Sequence, residues 1–310
     1  MKLRAYSAWL ILLLLIVAPV FNVAKAQMTS TNYEIRFDSV GAGGDDTSGS
    51  VTYQLRDSVG GSGEGNASSA TYNLTAGYRQ GVFDQIATFE TYGMNRVSET
   101  AATALTGNVV TVNTVSGVLV GDMAYIVQDQ GSNQRTGFGK VIDITGNDVT
   151  LDNITTLGGS LTINGSADYF YTANNSTLDL GVLNSSTLST TALGWTVDAD
   201  VSGGYSVYVF EDHDLQLTVG PDTYVINDVA DGSVSAGASE YGARSSDQTL
   251  AGSSFDTTDY NFSTAHQLVG SRSSNSLLNR DFLLIKTGVQ SGQEPGNYSH
   301  TLTLIYVGAY

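Results

Sequence analysis

The feature that most constrains this fold is the alternation of short runs rich in Val, Ile, Tyr and Thr with clusters of Gly, Ser, Thr and Asn. Such runs are typical of β-strands, and the clusters between them are typical of turns. Almost no segment has the apolar spacing of a helix. The pattern predicts an all-β protein with an N-terminal arm of repeated strands, a small middle β module and a C-terminal β-sandwich.

The chain contains no cysteine. Disulfides, thiolate metal sites and cysteine nucleophiles are therefore excluded. A chain of 310 residues can instead bury enough apolar surface to hold its fold.

The first 26 residues have the features of a secretory signal peptide. Lys2 and Arg4 supply positive charge, residues 8–21 are largely apolar, and Ala24-Lys25-Ala26 is a small-residue cleavage site. We expect cleavage before Gln27 and export to the cell surface or the extracellular space. The alternative is an uncleaved anchor, but the apolar run is shorter than the roughly 20 residues of a spanning helix. No later run reaches that length, so we expect no helical membrane span in the mature chain.

The charge is strongly acidic. The whole chain carries 13 Lys and Arg against 30 Asp and Glu, a formal net charge of −17. Cleavage removes Lys2, Arg4 and Lys25 and no acid, so the net charge of the mature chain becomes −20. Such a surface repels nucleic acid and anionic lipid. It favours solubility and attracts cations.

Three segments follow the leader. Residues 27–87 contain a repeat in which Tyr33, Tyr53 and Tyr72 each open a short strand-like run that ends in a Gly-rich turn. Three short strands are marginally stable alone, so we expect this arm to pack on a neighbour. Residues 88–172 form the predicted small module, and residues 173–310 form the predicted sandwich.

One hairpin signal in the small module is especially clear. Asn164-Gly165 separates Leu161-Thr162-Ile163 from Tyr169-Phe170-Tyr171. Asn-Gly between two apolar runs is typical of a two-residue hairpin turn. The pattern predicts that these two runs are paired strands.

Several of these features together resemble a group of exported proteins. The Tyr33/Tyr53/Tyr72 repeat, the Val120-Gly121-Asp122 turn and the Gly296-Asn297-Tyr298 closing strand resemble β-rich surface proteins of uncultured, small-genome bacteria of the candidate-phyla type. The resemblance covers most of the mature chain and implies a surface role, with no activity that can be assigned to particular residues. The closing strand also resembles the last strand of bacterial Ig-like and pilus-type sandwiches, which is a likeness of architecture.

The residues do not indicate a catalytic set. The three histidines, His213, His266 and His300, are not accompanied by a G-x-S-x-G elbow. Acids are plentiful enough to leave glycoside hydrolysis open. Trp195 is the only tryptophan that remains after cleavage, and tyrosines at alternate strand positions are typical of cross-strand packing. We predict that the protein is not an enzyme.

The densest polar cluster is Glu211-Asp212-His213-Asp214, which lies between two predicted strands. Glu211, Asp212 and Asp214 are candidate ligands for Ca²⁺, which takes 6 to 8 oxygen ligands. Asp228 and Asp231 lie on another loop and would contribute if the two loops meet. The cluster does not match the EF-hand pattern. The alternative is an acidic hairpin tip that keeps a strand end soluble. No other cofactor is expected.

These observations predict a secreted or cell-surface structural or adhesive protein. It would act by display and by complementarity of its surface or sheet edges, toward a surface polymer, a glycan, a protein or a second copy of itself. One alternative is a carbohydrate- or calcium-dependent extracellular binding module. Another is an outer-membrane β-barrel, because residues 302–310 form an alternating strand that ends in Tyr310. The same strand could complete the sheet of a neighbouring subunit.

Overall fold

The computed structural model of the chain describes residues 87–174, 177–199, 203–274 and 276–309, together with six short strands nearer the N-terminus. The chain divides into two compact units, residues 1–84 and residues 85–310. The predicted signal peptide and the three repeat tyrosines lie outside the described residues.

The described strands of the first unit form three antiparallel pairs. They are β1 (Met28–Thr29) with β2 (Glu34–Ile35), β3 (Ser48–Gly49) with β4 (Gln54–Leu55), and β5 (Gly65–Ser68) with β6 (Asn73–Ala76). Strands β2, β4 and β6 begin directly after the repeat tyrosines.

The regular secondary structure of the second unit is almost entirely β-strand, and the predicted all-β class is confirmed. Its strands are β7 (Ala87–Gly93), β8 (Thr100–Thr106), β9 (Val109–Val112), β10 (Met123–Gln128), β11 (Arg135–Thr145), β12 (Asp148–Leu151), β13 (Thr155–Leu157), β14 (Tyr169–Thr172), β15 (Ser189–Ala199), β16 (Tyr205–Glu211), β17 (Leu215–Val219), β18 (Asp222–Asp228), β19 (Glu240–Ser245), β20 (Gln267–Arg272), β21 (Ser276–Gly288) and β22 (Leu302–Gly308). One turn of 3-10 helix covers Arg96–Ser98. Among the residues described, no helix is long and apolar enough to span a membrane.

Six strands close into a ring in the order β10-β14-β8-β9-β12-β11, and β11 pairs back with β10. Strand β11 serves both neighbours because residues 135–140 pair with β10, while residues 141–145 pair with β12 across a register shift. Strand β13 also pairs with β11. Apolar side chains, including Val110, Ile126 and Phe170, fill the ring.

Two further sheets follow. The larger has the order β17-β18-β19-β21-β15-β7, and the smaller has the order β20-β16-β22. Strand β7 precedes the ring in sequence but pairs with β15 in the larger sheet. One apolar cluster draws Trp195 and Ile285 from the larger sheet and Val207 and Val269 from the smaller. The two sheets therefore share a core.

The larger sheet also packs against the ring. The centroid of the Phe282 ring lies 6.0 Å from that of Tyr125 and 6.1 Å from that of Phe138. Strand β10 is buried along its whole length, because Tyr125 faces this contact while Ile126 faces the ring interior. The close approach depends on Gly194 of β15, where an added Cβ would lie 2.6 Å from Phe138 Cζ.

Candidate functional site

Two strands bring carboxylates to one end of the shared core. Strand β16 alternates strictly between buried and partly buried positions, and its buried positions are Tyr205, Val207, Val209 and Glu211. Successive strand residues point to opposite faces, so Glu211 shares the inward face and is 2% exposed. On β18, Asp228 lies two residues after Ile226, which belongs to the same core. Because β16 and β18 belong to different sheets, these inward positions face each other.

Glu211, Asp214 and Asp228 form an acidic cluster. One carboxylate oxygen of each residue lies within 4.8 Å of the others. Glu211 is buried, Asp228 is partly buried and Asp214 is exposed, so the cluster opens to solvent on the Asp214 side. Oδ1 of Asp228 is buried and has no hydrogen-bond partner among the described residues.

The electrostatics of this cluster favour neutralisation. Burial, together with the negative charges of Glu211 and Asp214, raises the pKa of Asp228 to about 7. Carboxylates this close repel each other when all are ionised. Either a proton on Asp228 or a bound cation relieves the repulsion. Three carboxylates and solvent on the open side match the oxygen ligands that Ca²⁺ prefers.

The Ca²⁺ ligands predicted from sequence do not all lie in this cluster. The structure brings Glu211 and Asp214 together with Asp228, a ligand that the sequence predicts only if two loops meet. Asp212 is not part of this group. Its Oδ1 accepts the Thr301 N–H at 2.8 Å, and this hydrogen bond lowers the pKa of Asp212. Asp231 also lies outside the group, and its Oδ1 accepts the Ser233 N–H at 3.0 Å.

Glu211 also begins a chain of buried hydrogen bonds that sequence reasoning missed. His300 Nδ1 lies 3.1 Å from Glu211 Oε2, and His300 Nε2 lies 2.7 Å from Tyr241 Oη. Burial, with the charges of Glu211 and Asp228, raises the pKa of Tyr241 well above 10, so the phenol stays neutral. All three side chains are buried. This series of hydrogen bonds therefore connects the smaller sheet to the larger and is shielded from solvent.

The edges of the two sheets form a second candidate surface. Strands β7 and β22 are terminal strands of their sheets, and no further strand pairs with either within the described ranges. They lie side by side, because Phe89 of β7 stacks on Tyr306 of β22 with ring centroids 5.8 Å apart. An edge strand presents a row of unpaired N–H and C=O groups. The sequence pointed to the edge at β22, but nothing in it identified β7.

Comparison with known proteins does not assign the chain to a family. Protein-family models, curated proteins and solved structures give no match. The acidic cluster and the two sheet edges formed by β7 and β22 are therefore the features from which a function can be inferred.

Proposed function

We propose that the protein is an exported, non-enzymatic structural or adhesive component of the cell surface or extracellular matrix, which docks through its open sheet edges. The observation that carries this proposal is the side-by-side placement of β7 and β22 at the ends of their sheets. Such an edge can add an extended segment of another chain through main-chain hydrogen bonds. The signal-peptide features of residues 1–26 support export.

The composition of β22 supports pairing. Native edge strands are commonly protected by Lys, Pro or a bulge. Residues 302–308 contain no charged residue and no proline, and their pairing with β16 runs without a register shift. Val307 is 48% exposed. Strand β7 carries Glu90 as its single charge. Both edges therefore offer backbone with little electrostatic protection.

The burial of the hydrogen-bonded Glu211, His300 and Tyr241 supports a non-catalytic role. His300, Glu211 and Tyr241 have the residue types of an acid–base relay, but the histidine side chain is only 7% exposed and the phenol stays protonated. A general base has to come within hydrogen-bond reach of the proton it removes. This histidine is already bonded on both ring nitrogens. A hydrolase activity lost in His300→Ala would contradict this part of the proposal.

Light scattering tests the docking. We expect residues 27–310 to self-associate as protein concentration rises, most strongly at high salt, because the acidic surface repels other copies at low salt. Val307→Lys places a charge on the β22 edge and should shift the protein to monomer. Val182→Lys is the matched control, because Val182 is 97% exposed and lies outside every strand. A wild-type chain that stays monomeric throughout, or equal association by Val307→Lys, would contradict docking through this edge.

A second candidate function is a calcium-dependent extracellular binding module. The specific observation is the convergence of Glu211, Asp214 and Asp228 beside the buried, unpartnered Asp228 Oδ1. Cation binding would tie β16 to β18 and would neutralise the cluster. A ligand at about 100 times its Kd stabilises the native state by about 2.7 kcal/mol, which is readily measured in a thermal melt.

The matched variants are Asp214→Asn, inside the cluster, and Asp212→Asn, outside it. They make the same change in charge three residues or fewer from Glu211. Ca²⁺ should raise the melting temperature of the wild type and of Asp212→Asn, and should leave that of Asp214→Asn nearly unchanged. The same shift in both variants would reject the cluster as the binding site.

A further inference from the structure

A separate concave site lies on the ring. The loop between β10 and β11 and the loop before β14 line a shallow cavity of about 480 Å³ that is broadly open to solvent. It is lined by Asp129, Gln130, Ser132, Asn133, Ser166 and Ala167. Small-ligand sites commonly have volumes of about 300–1,000 Å³. The lining is polar and open to solvent, so its ligand should be hydrophilic.

Two of the lining residues have a left-handed backbone, Asp129 with φ 52° and Ala167 with φ 56°. Aspartate enters this region readily, whereas alanine rarely does, so the strain lies at Ala167. The two loops join where the strain lies, because the Gln130 N–H donates to the Ala167 carbonyl at 3.0 Å. Backbone strain persists where the surrounding structure imposes it, and it concentrates at ligand sites. The strained Ala167 backbone therefore supports a ligand site between these two loops.

Buried polar side chains fix both loops in place. Asp168 is 1% exposed and accepts the Asp129 N–H at 3.0 Å and the Asn164 N–H at 2.8 Å. Gln128 is also buried; it donates to Asp129 Oδ2 at 2.9 Å and accepts the Thr162 N–H at 2.7 Å. A site held rigid before binding loses less conformational entropy when the ligand arrives. The cavity is thus preorganised by its supporting residues.

Several polar groups in the cavity remain available. The side chains of Ser132, Asn133 and Ser166 make no hydrogen bond to any other residue in the described part of the chain. With Asp129 they offer two hydroxyls, one carboxamide and one carboxylate. A single carboxylate is a poor basis for a Ca²⁺ site, which needs 6 to 8 oxygen ligands. Mixed donors and acceptors suit a ligand that carries many hydroxyl groups.

We propose that this cavity binds a neutral saccharide, with Asp129, Asn133 and Ser166 hydrogen-bonded to its hydroxyl groups. The site shares no residue with the sheet edges or the acidic cluster. Saccharide binding at this site therefore does not depend on edge docking or on cation binding. If both the site and the edges function, one molecule would hold a polysaccharide and a protein neighbour at the same time.

Saturation-transfer NMR on residues 27–310 tests the site, with cellohexaose, xylohexaose, mannohexaose and chitohexaose as probes. At least one should bind with a Kd in the millimolar range or tighter. Asn133→Ala/Ser166→Ala should weaken that binding about tenfold or more, since each removes a hydrogen-bonding group. Ser291→Ala/Asn297→Ala is the matched control, because both residues are exposed and lie outside the ring, and it should bind like the wild type.

Ala167→Trp provides a second variant, because an indole ring would occupy part of the cavity without removing a polar group. It should abolish binding while circular dichroism stays that of the wild type. Binding of none of the four probes at about 10 mM would overturn the proposal. Equal binding by the wild type and Asn133→Ala/Ser166→Ala would also overturn it.

Discussion

Replacing Gly194 by Ala should destabilise the contact between the ring and the larger sheet. Gly194 lies within β15, opposite Tyr92 of β7 and Phe282 of β21. A Cβ at this position would lie 2.6 Å from Phe138 Cζ and 2.6 Å from Tyr125 Oη, well inside the roughly 3.5–4.0 Å optimum for carbon contacts. Neither aromatic ring can easily move, because both are fully buried and they stack with centroids 4.7 Å apart.

The size of the effect follows from two opposing terms. Overpacking a dense core costs about 1–3 kcal/mol. Replacing glycine by alanine within a strand returns roughly 0.5–1 kcal/mol, because the unfolded chain loses conformational freedom. We expect the free energy of unfolding to fall by about 1–2 kcal/mol. With a urea m-value of about 2 kcal/mol/M, the unfolding midpoint should fall by roughly 0.5–1 M.

Equilibrium urea unfolding, followed by the fluorescence of the buried Trp195, measures this change. Phe138→Leu supplies the control, because it removes the Cζ atom that an alanine at position 194 would meet. The double variant should lose less stability than the two single variants together, by about 1 kcal/mol. Strictly additive effects would refute the idea that Gly194 is required for this packing, as would a Gly194→Ala variant as stable as the wild type.

Three further predictions concern stability. Ala167→Gly should raise the free energy of unfolding by roughly 1 kcal/mol, because glycine adopts a φ near 56° without strain; a lower urea midpoint would count against strain at this site. Asp228→Asn should flatten the pH dependence of the melting temperature. The pKa of about 7 in the folded protein lies above the unfolded value of about 4, so wild-type stability falls as the pH rises from about 4 to 7; an unchanged slope would exclude Asp228 as its source. Arg272→Met should cost about 3 kcal/mol in urea unfolding, because it leaves the buried Asp247 and Asp281 without the cation that lies 2.9 and 2.8 Å from their carboxylates; a loss below about 1 kcal/mol would show that solvent screens this network.

The local alternation of apolar residues gave the most accurate strand predictions. The run from Tyr205 to Phe210 predicts a strand, and β16 covers Tyr205–Glu211 with every second residue buried. The signal is readable because it depends only on which face each neighbouring side chain takes. When it is continued to the next residue, the same alternation places Glu211 on the buried face of the strand.

The hairpin predicted at Asn164-Gly165 shows the limit of a prediction from local sequence. Residues 161–163 do not form a strand, so the predicted pairing with residues 169–171 is wrong. Strand β14 instead pairs with β10 and β8, and the N–H groups of Asn164 and Gly165 donate to the Asp168 carboxylate. Turn chemistry is local and was recognisable, whereas the choice of strand partner depends on contacts that are distant in sequence.

The acidic cluster was half predictable for the same reason. Glu211 ends β16 and Asp214 lies three residues later in the turn that follows, and that proximity is visible in the sequence. The contribution of Asp228, at the end of β18, follows only from the packing of the two sheets that contain β16 and β18. His300 lies 89 residues from Glu211 and 59 from Tyr241, and no spacing rule connects positions so far apart.

The positions of β7 and β22 also determine how the second unit responds to mechanical load. Ala87 pairs with Ala199, where β15 ends, and Gly308 pairs with Tyr205, where β16 begins. The outer ends of β7 and β22 thus lie at the same end of the two sheets, each two residues beyond the stack of Phe89 on Tyr306. Tension applied between these ends would peel both strands away one residue pair at a time, because antiparallel hydrogen bonds lie perpendicular to the strands. The second unit would therefore yield gradually at low force.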